Sequence, residues 1–225
     1  MNFGANMQYL RMMHKNMTQE ELAYRLGVSR QTISKWERDE GNPELNKIQE
    51  ICALFNCSSD DLLFGSMKIV DKSFSEIAVE TLEAFQYTKY TVISTNPEDD
   101  AIHRILHLAK ELNLERPKVI GWDFRHLSQE QINIYHMHGY TAALVLPEGV
   151  ELDQKDLVVE RRETQNYVTI TIQNPMENPF HLVSNAYQSV FQYIRFNRFT
   201  YDHFAYEHVF RKGHTEYMKI CVAIQ

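Results

Sequence analysis

Met17-Thr18-Gln19-Glu20-Glu21-Leu22-Ala23-Tyr24-Arg25-Leu26-Gly27-Val28-Ser29-Arg30-Gln31-Thr32-Ile33-Ser34-Lys35-Trp36-Glu37 reads as a pair of helices folded around one tight corner. Thr18 with Glu21 three residues later has the spacing of a capping box, which satisfies the first free N–H groups of a helix. Gly27 supplies the left-handed conformation that ends the first helix, and Ser29 caps the second. Leu22, Ala23, Leu26, Val28 and Ile33 then form the seam between them.

At 100° per residue, Ile33 and Trp36 face one side of the second helix, while Gln31, Ser34, Lys35 and Arg38 cluster opposite. Glutamine can bond adenine through two contacts, arginine or lysine can bond guanine at O6 and N7, and an α-helix fits the major groove. Arg30 and Gln31, near the helix start, are best placed to reach bases; Ser29, Thr32, Ser34, Lys35 and Arg38 complete the expected DNA face. Gln19, opening the preceding helix, is better placed for a phosphate. A solvated face is the ordinary explanation of a polar stripe. Here the runs Thr18 to Ala23, Leu26 to Ser29 and Gln31 to Glu37 closely resemble the helix-turn-helix of Cro/cI-type repressors, the xenobiotic-response-element (XRE) family. The likeness extends to Pro43-Glu44-Leu45, opening a fourth helix, and to Cys57-Ser58-Ser59-Asp60-Asp61-Leu62-Leu63, forming a fifth.

This resemblance implies an all-α, five-helix, lambda-repressor-like domain over residues 1–66 that binds double-stranded operator DNA, usually as a homodimer. Family members often carry an arginine in the first helix that pairs with the acid corresponding to Glu37; the aligned position here is Met12, with Arg11 beside it. Residues 1–66 hold seven Lys or Arg against nine acids, so modest affinity per monomer and dependence on dimerisation are expected.

Beyond this domain the pattern changes. Ser73-Phe74-Ser75-Glu76 has capping-box spacing, so residues 67–86 read as a short linker and a connecting helix. From residue 87 to 225, alternating aromatic and β-branched stretches (87–94, 118–124, 140–146, 167–173, 204–211 and 217–224) are interrupted by helical segments at 98–112 and 181–196. The order strand, helix, strand, strand occurs twice, which predicts an α+β domain made of two pseudo-repeats.

In Phe204-Ala205-Tyr206-Glu207-His208-Val209-Phe210, strand alternation puts Glu207 on one face with Ala205 and Val209. A carboxylate on an apolar face must be hydrogen-bonded, paired or open to a cavity. An organic cation would satisfy it, and so would Arg161, Arg162 or Lys219 on a neighbouring strand. The element order, Gly121 and Asp123 after the first helix, and the Tyr206-Glu207 pair after the second resemble the GyrI-like, or AraC-type, effector-binding domain. In that family two pseudo-repeats form a groove for small molecules, and the acid matching Glu207 commonly lies in it. Aromatic side chains beside an acid suit cationic, flat or lipophilic ligands, with Trp122, Tyr140 and Tyr187 the expected wall.

The function expected from these readings is a one-component transcriptional regulator, a repressor, with a small cationic or aromatic effector. A small-molecule hydrolase using Glu207 as general base and a ligand-free dimerisation module are the alternatives. The 225 residues carry a net charge of −7, which argues against unselective nucleic-acid coating. No apolar run approaches the length of a membrane span and the start lacks a secretion signal, so a cytoplasmic protein is expected. Cys52, Cys57 and Cys221 lack metal or disulfide spacing and read as structural. His103 with His107, and His136 with His138, have spacings a divalent metal could use, but no further ligand accompanies them; no metal or other cofactor is expected.

Overall fold

The structure is a computed structural model that describes residues 3–14, 16–65, 67, 72–124, 126–150 and 157–225. The chain opens with α1 (Phe3–Met13), α2 (Gln19–Leu26), α3 (Arg30–Glu37), α4 (Leu45–Phe55) and α5 (Ser59–Leu63). The corner between α2 and α3 forms as the sequence predicts. Thr18 and Glu21 make the reciprocal capping box, Gly27 ends α2 at φ 63°, and the Ser29 hydroxyl accepts from the Thr32 N–H. Leu10, Leu22, Ile33, Ile51, Phe55 and Leu62 are fully buried in the core these helices share. The arginine of α1 that meets Glu37 is Arg11, in a bidentate pair at 2.6 and 3.1 Å.

The second part contains β1 (Ala78–Leu82), β2 (Phe85–Ser94), α6 (Pro97–Glu111), β3 (Lys118–Asp123), α7 (Gln129–Asn133), β4 (His138–Leu146), β5 (Glu160–Arg162), β6 (Gln165–Gln173), α8 (Pro179–Phe196), β7 (Tyr201–Lys212) and β8 (Thr215–Ile224). All strands join one antiparallel sheet in the order β1-β6-β8-β7-β3-β4-β2-β5. The expected units β2-α6-β3-β4 and β6-α8-β7-β8 lie side by side, with β3 and β7 meeting at the seam. This is the α+β, two-repeat architecture implied by the GyrI-like resemblance.

The expected linker lies mostly outside the described residues, and no connecting helix forms among the described residues 72–86; residues 78–82 form β1 instead. The local capping pattern loses to pairing with β6: Ser73 and Ser75 bond the backbone of Gln173 and Thr171, Phe74 bridges Ile172, and β1 continues that ladder. Alternation divides the sheet's side chains cleanly. Val168, Ile170, Met218, Ile220 and Val222 pack under α8, and Ala142 and Leu144 under α6. The opposite face gathers Tyr87, Tyr167, Phe204 and Tyr206 into an aromatic core. The sheet curls around that core until Arg162 of β5 stacks 3.6 Å from the Phe204 ring of β7.

Candidate functional site

Two surfaces carry chemistry. On the first, Arg30, Gln31, Lys35 and Arg38 are exposed along α3, with Ser34 half-exposed among them, while Ile33 and Trp36 are buried opposite. Ser29 and Thr32 share the N-cap, their hydroxyls 2.9 Å apart. The Arg38 guanidinium lies 2.8 Å from Glu40, and Gln19 is turned inward, donating to Glu37 at 2.9 Å. Gln19 therefore helps Arg11 to hold an acid whose side chain is only 3% exposed, and in this arrangement its amide does not point at a phosphate.

The second surface is a cavity of about 880 Å³ between α6 and α8, floored by the seam of β3 and β7. Gly121 and Glu207 stand opposite each other in the single register pair joining those strands. An added Cβ at Gly121 would collide with the Tyr140 hydroxyl, so only glycine lets that ring lie across the cavity floor. Tyr187 of α8 donates to Glu207 Oε1 at 2.9 Å. Neither Arg161, Arg162 nor Lys219 pairs with this acid: they engage Glu163, Asp202 and Glu80 respectively.

Burial pushes the Glu207 carboxyl up to about 7, with Asp123 and Glu98 adding to the rise and the Tyr187 bond opposing it. Burial first, then the nearby acids, also pushes the Tyr140 and Tyr187 phenols well above their ordinary range. Glu98, Asp99, Asp123, Glu207 and Glu216 all line the cavity, and among the described residues no Lys, Arg or His lines it. Such a surface attracts positive charge, and the tyrosine faces offer it a quadrupole.

Of the expected wall residues, Tyr140 and Tyr187 line the cavity with Glu207. Trp122 does not. It projects from the other face of β3, edge-on to Tyr87 and Phe204, because Gly121 and Asp123 already face the cavity and alternation sends their neighbour away. Sequence reasoning missed Glu98 and, among the aromatics of this half, did not single out Phe180, which is 91% exposed at the cavity mouth. The available signal was Asn-Pro at residues 96–97 and again at 178–179: each opens a repeat's helix, and the next residue meets the groove. His103 and His107 are exposed on α6, and among the described residues no group of three or more His, Cys, Asp or Glu is arranged to hold a metal. No described helix is long and apolar enough to cross a membrane.

A helix-turn-helix family model matches residues 7–62. The HTH-type transcriptional activator BcrR of Enterococcus faecalis is 45% identical over 65 residues, covering 29% of this chain and 31% of that protein; the likeness thus spans about a third of the relative. An uncharacterized HTH-type transcriptional regulator of Archaeoglobus fulgidus is 47% identical over 58 residues, covering 25% of this chain and 82% of the relative. Among solved structures, the EcmrR–DNA complex in EcmrR-RPo, determined by cryo-EM, matches with a TM-score of 0.51 at 12% identity, over 93% of this chain and 85% of that one. That likeness is one of fold and takes in both parts of the molecule. The capped corner, the Arg11–Glu37 pair and these matches converge: through its N-terminal domain the chain belongs to the helix-turn-helix family of transcriptional regulators, of the XRE type.

Proposed function

We propose that the protein is a one-component cytoplasmic regulator, a repressor acting as a homodimer, in which α3 reads an operator and the cavity between α6 and α8 captures an organic cation with aromatic character. The observation that carries the effector reading is the cavity's composition: five carboxylates, the tyrosines Tyr140 and Tyr187, and no basic residue among the described lining residues. Its size lies in the range of small-molecule sites, about 300–1,000 Å³. Glu207 is held partly desolvated with no cationic partner among the described residues, and a bound cation would complete it. A ligand regulates only if it binds two arrangements of the protein unequally, and the differential affinity then appears as a change in DNA occupancy.

The test is calorimetry with tetraphenylphosphonium, an aromatic monocation, on the full chain and on Glu207→Gln, beside gel shifts on duplex DNA selected by the wild type from a random library. The expected result is binding weakened at least about tenfold in Glu207→Gln, as a lost charge interaction of about 1.4 kcal/mol requires. Equal affinity in both proteins removes Glu207 as the ligand's counter-charge. A raised carboxyl pKa beside a tyrosine also suits a general base. Product formation from an ester or epoxide that vanishes in Glu207→Gln would establish a hydrolase instead.

A further inference from the structure

Helix α8 belongs to both parts of the molecule. Its first turns place Phe180, Val183 and Tyr187 on the cavity wall, with Tyr187 bonded to Glu207. Its middle packs Ala186, Val190 and Ile194 on the sheet. Its last residue, Phe196, is fully buried in the core of the DNA-binding domain.

Polar contacts fix the same end from several directions. Asn197 Nδ2 donates to the carbonyl of Met13, the last residue of α1, at 2.9 Å. Asn56 Nδ2, at the end of α4, donates to the Arg195 carbonyl at 3.2 Å, and the Arg198 guanidinium donates to the Ala53 carbonyl at 2.9 Å. Arg195 also lies 3.5 Å from Asp61 of α5. Further back along the helix, Ser189 approaches the Tyr9 hydroxyl of α1 while its own hydroxyl donates to the Asn185 carbonyl at 2.9 Å, and burial pushes the Tyr9 phenol up to about 12.

We propose that α8 is the lever through which cavity occupancy reaches the DNA-binding domain: a cation that engages Glu207 displaces the Tyr187 end of α8, and the Phe196 end carries α1 and α4 with it. The inference rests on the ligand reading of the cavity. Phe196 stands nine positions after Tyr187, about 14 Å of continuous helix at 1.5 Å per residue. A hydrogen-bonded helix transmits such a shift as a rigid body. Close-packed cores answer it by moving between discrete packings rather than by stretching. Because Phe196 is a core side chain of the receiving domain, the helix end cannot slide without repacking that domain.

The test uses the full chain, tetraphenylphosphonium as probe, and duplex DNA selected by the wild type. Ser189→Ala/Asn197→Ala removes the Asn197–Met13 bond and the Ser189 contact with Tyr9 across the junction and leaves Phe196, α3 and every cavity residue intact. Probe affinity stays within about twofold and probe-free DNA affinity within about threefold, while the probe-induced change in DNA affinity shrinks at least about fivefold. Hydrogen exchange on the wild type shows the probe altering amides of α1 and the last turn of α8. A full probe response in the double variant, or exchange changes confined to the cavity walls, overturns the lever and leaves the cavity reading standing. A wild type that does not bind the probe overturns the cavity reading, and the lever with it.

Discussion

Neutralising Glu207 is expected to stabilise the folded protein in alkaline buffer. The folded carboxyl titrates at about 7 against an ordinary value of 4.5, so between these pH values the native state holds a proton that the unfolded chain has released. Stability contributed by this group is therefore complete below about pH 4.5 and is lost as pH rises through 7. At 1.36 kcal/mol per pKa unit, the ionised group costs about 3 kcal/mol at pH 8.5 and under about 1 kcal/mol at pH 5. Glu207→Gln keeps an oxygen for the Tyr187 hydroxyl and cannot ionise. Urea unfolding of both proteins at the two pH values should show Glu207→Gln more stable by about 3 kcal/mol at pH 8.5, with the gap closing to about 1 kcal/mol at pH 5. A Glu207 serving as half of a structural ion pair predicts the reverse. If the wild type is the more stable protein at pH 8.5, the reasoning about a desolvated, cavity-facing acid is refuted.

Other outcomes follow from the same geometry. Probe affinity should fall about tenfold per pH unit below pH 7, as proton and cation compete for Glu207 in titration calorimetry. Arg11→Ala leaves Glu37 with a side chain 3% exposed and Gln19 still donating to it; a loss of about 3–5 kcal/mol in the unfolding of the N-terminal domain, followed by Trp36 fluorescence, is expected. Gly121→Ala drives a methyl group into Tyr140, so about 1–3 kcal/mol of stability and measurable probe affinity should be lost together. Arg30→Ala and Gln31→Ala should each weaken selected-duplex binding by about 1–3 kcal/mol in gel shifts while leaving the melting transition in place.

The DNA-binding domain was legible in the sequence because its signals are local: Thr18, Glu21, Gly27 and Ser29 act within one helical turn of where they stand. β2, β3, β4, β6, β7 and β8 were legible for a similar reason, since alternation is written residue by residue, whereas the three-residue β5 is too short to show it. The connecting helix failed where a local motif met a distant competitor, the open edge of β6, which holds Ser73 and Ser75. Trp122 could have been excluded by alternation alone, because Asp123 and Trp122 cannot both face one side of β3. The docking of α8 was not legible. Phe196 lies among apolar residues that serve its own domain, and no periodicity distinguishes a side chain that packs under a different fold.

The seam between the two repeats gives the cavity a direction. Where β3 and β7 pair, one repeat presents Glu207 and the other presents Gly121, directly opposite. A faithful copy would have set two carboxylates against each other at strand-pair distance, each raising the other's pKa and crowding out Tyr140. With an acid on one side only, near-symmetric architecture carries an asymmetric recognition surface. A ligand with a charged head and a neutral tail should therefore enter in one orientation, its head toward Glu207.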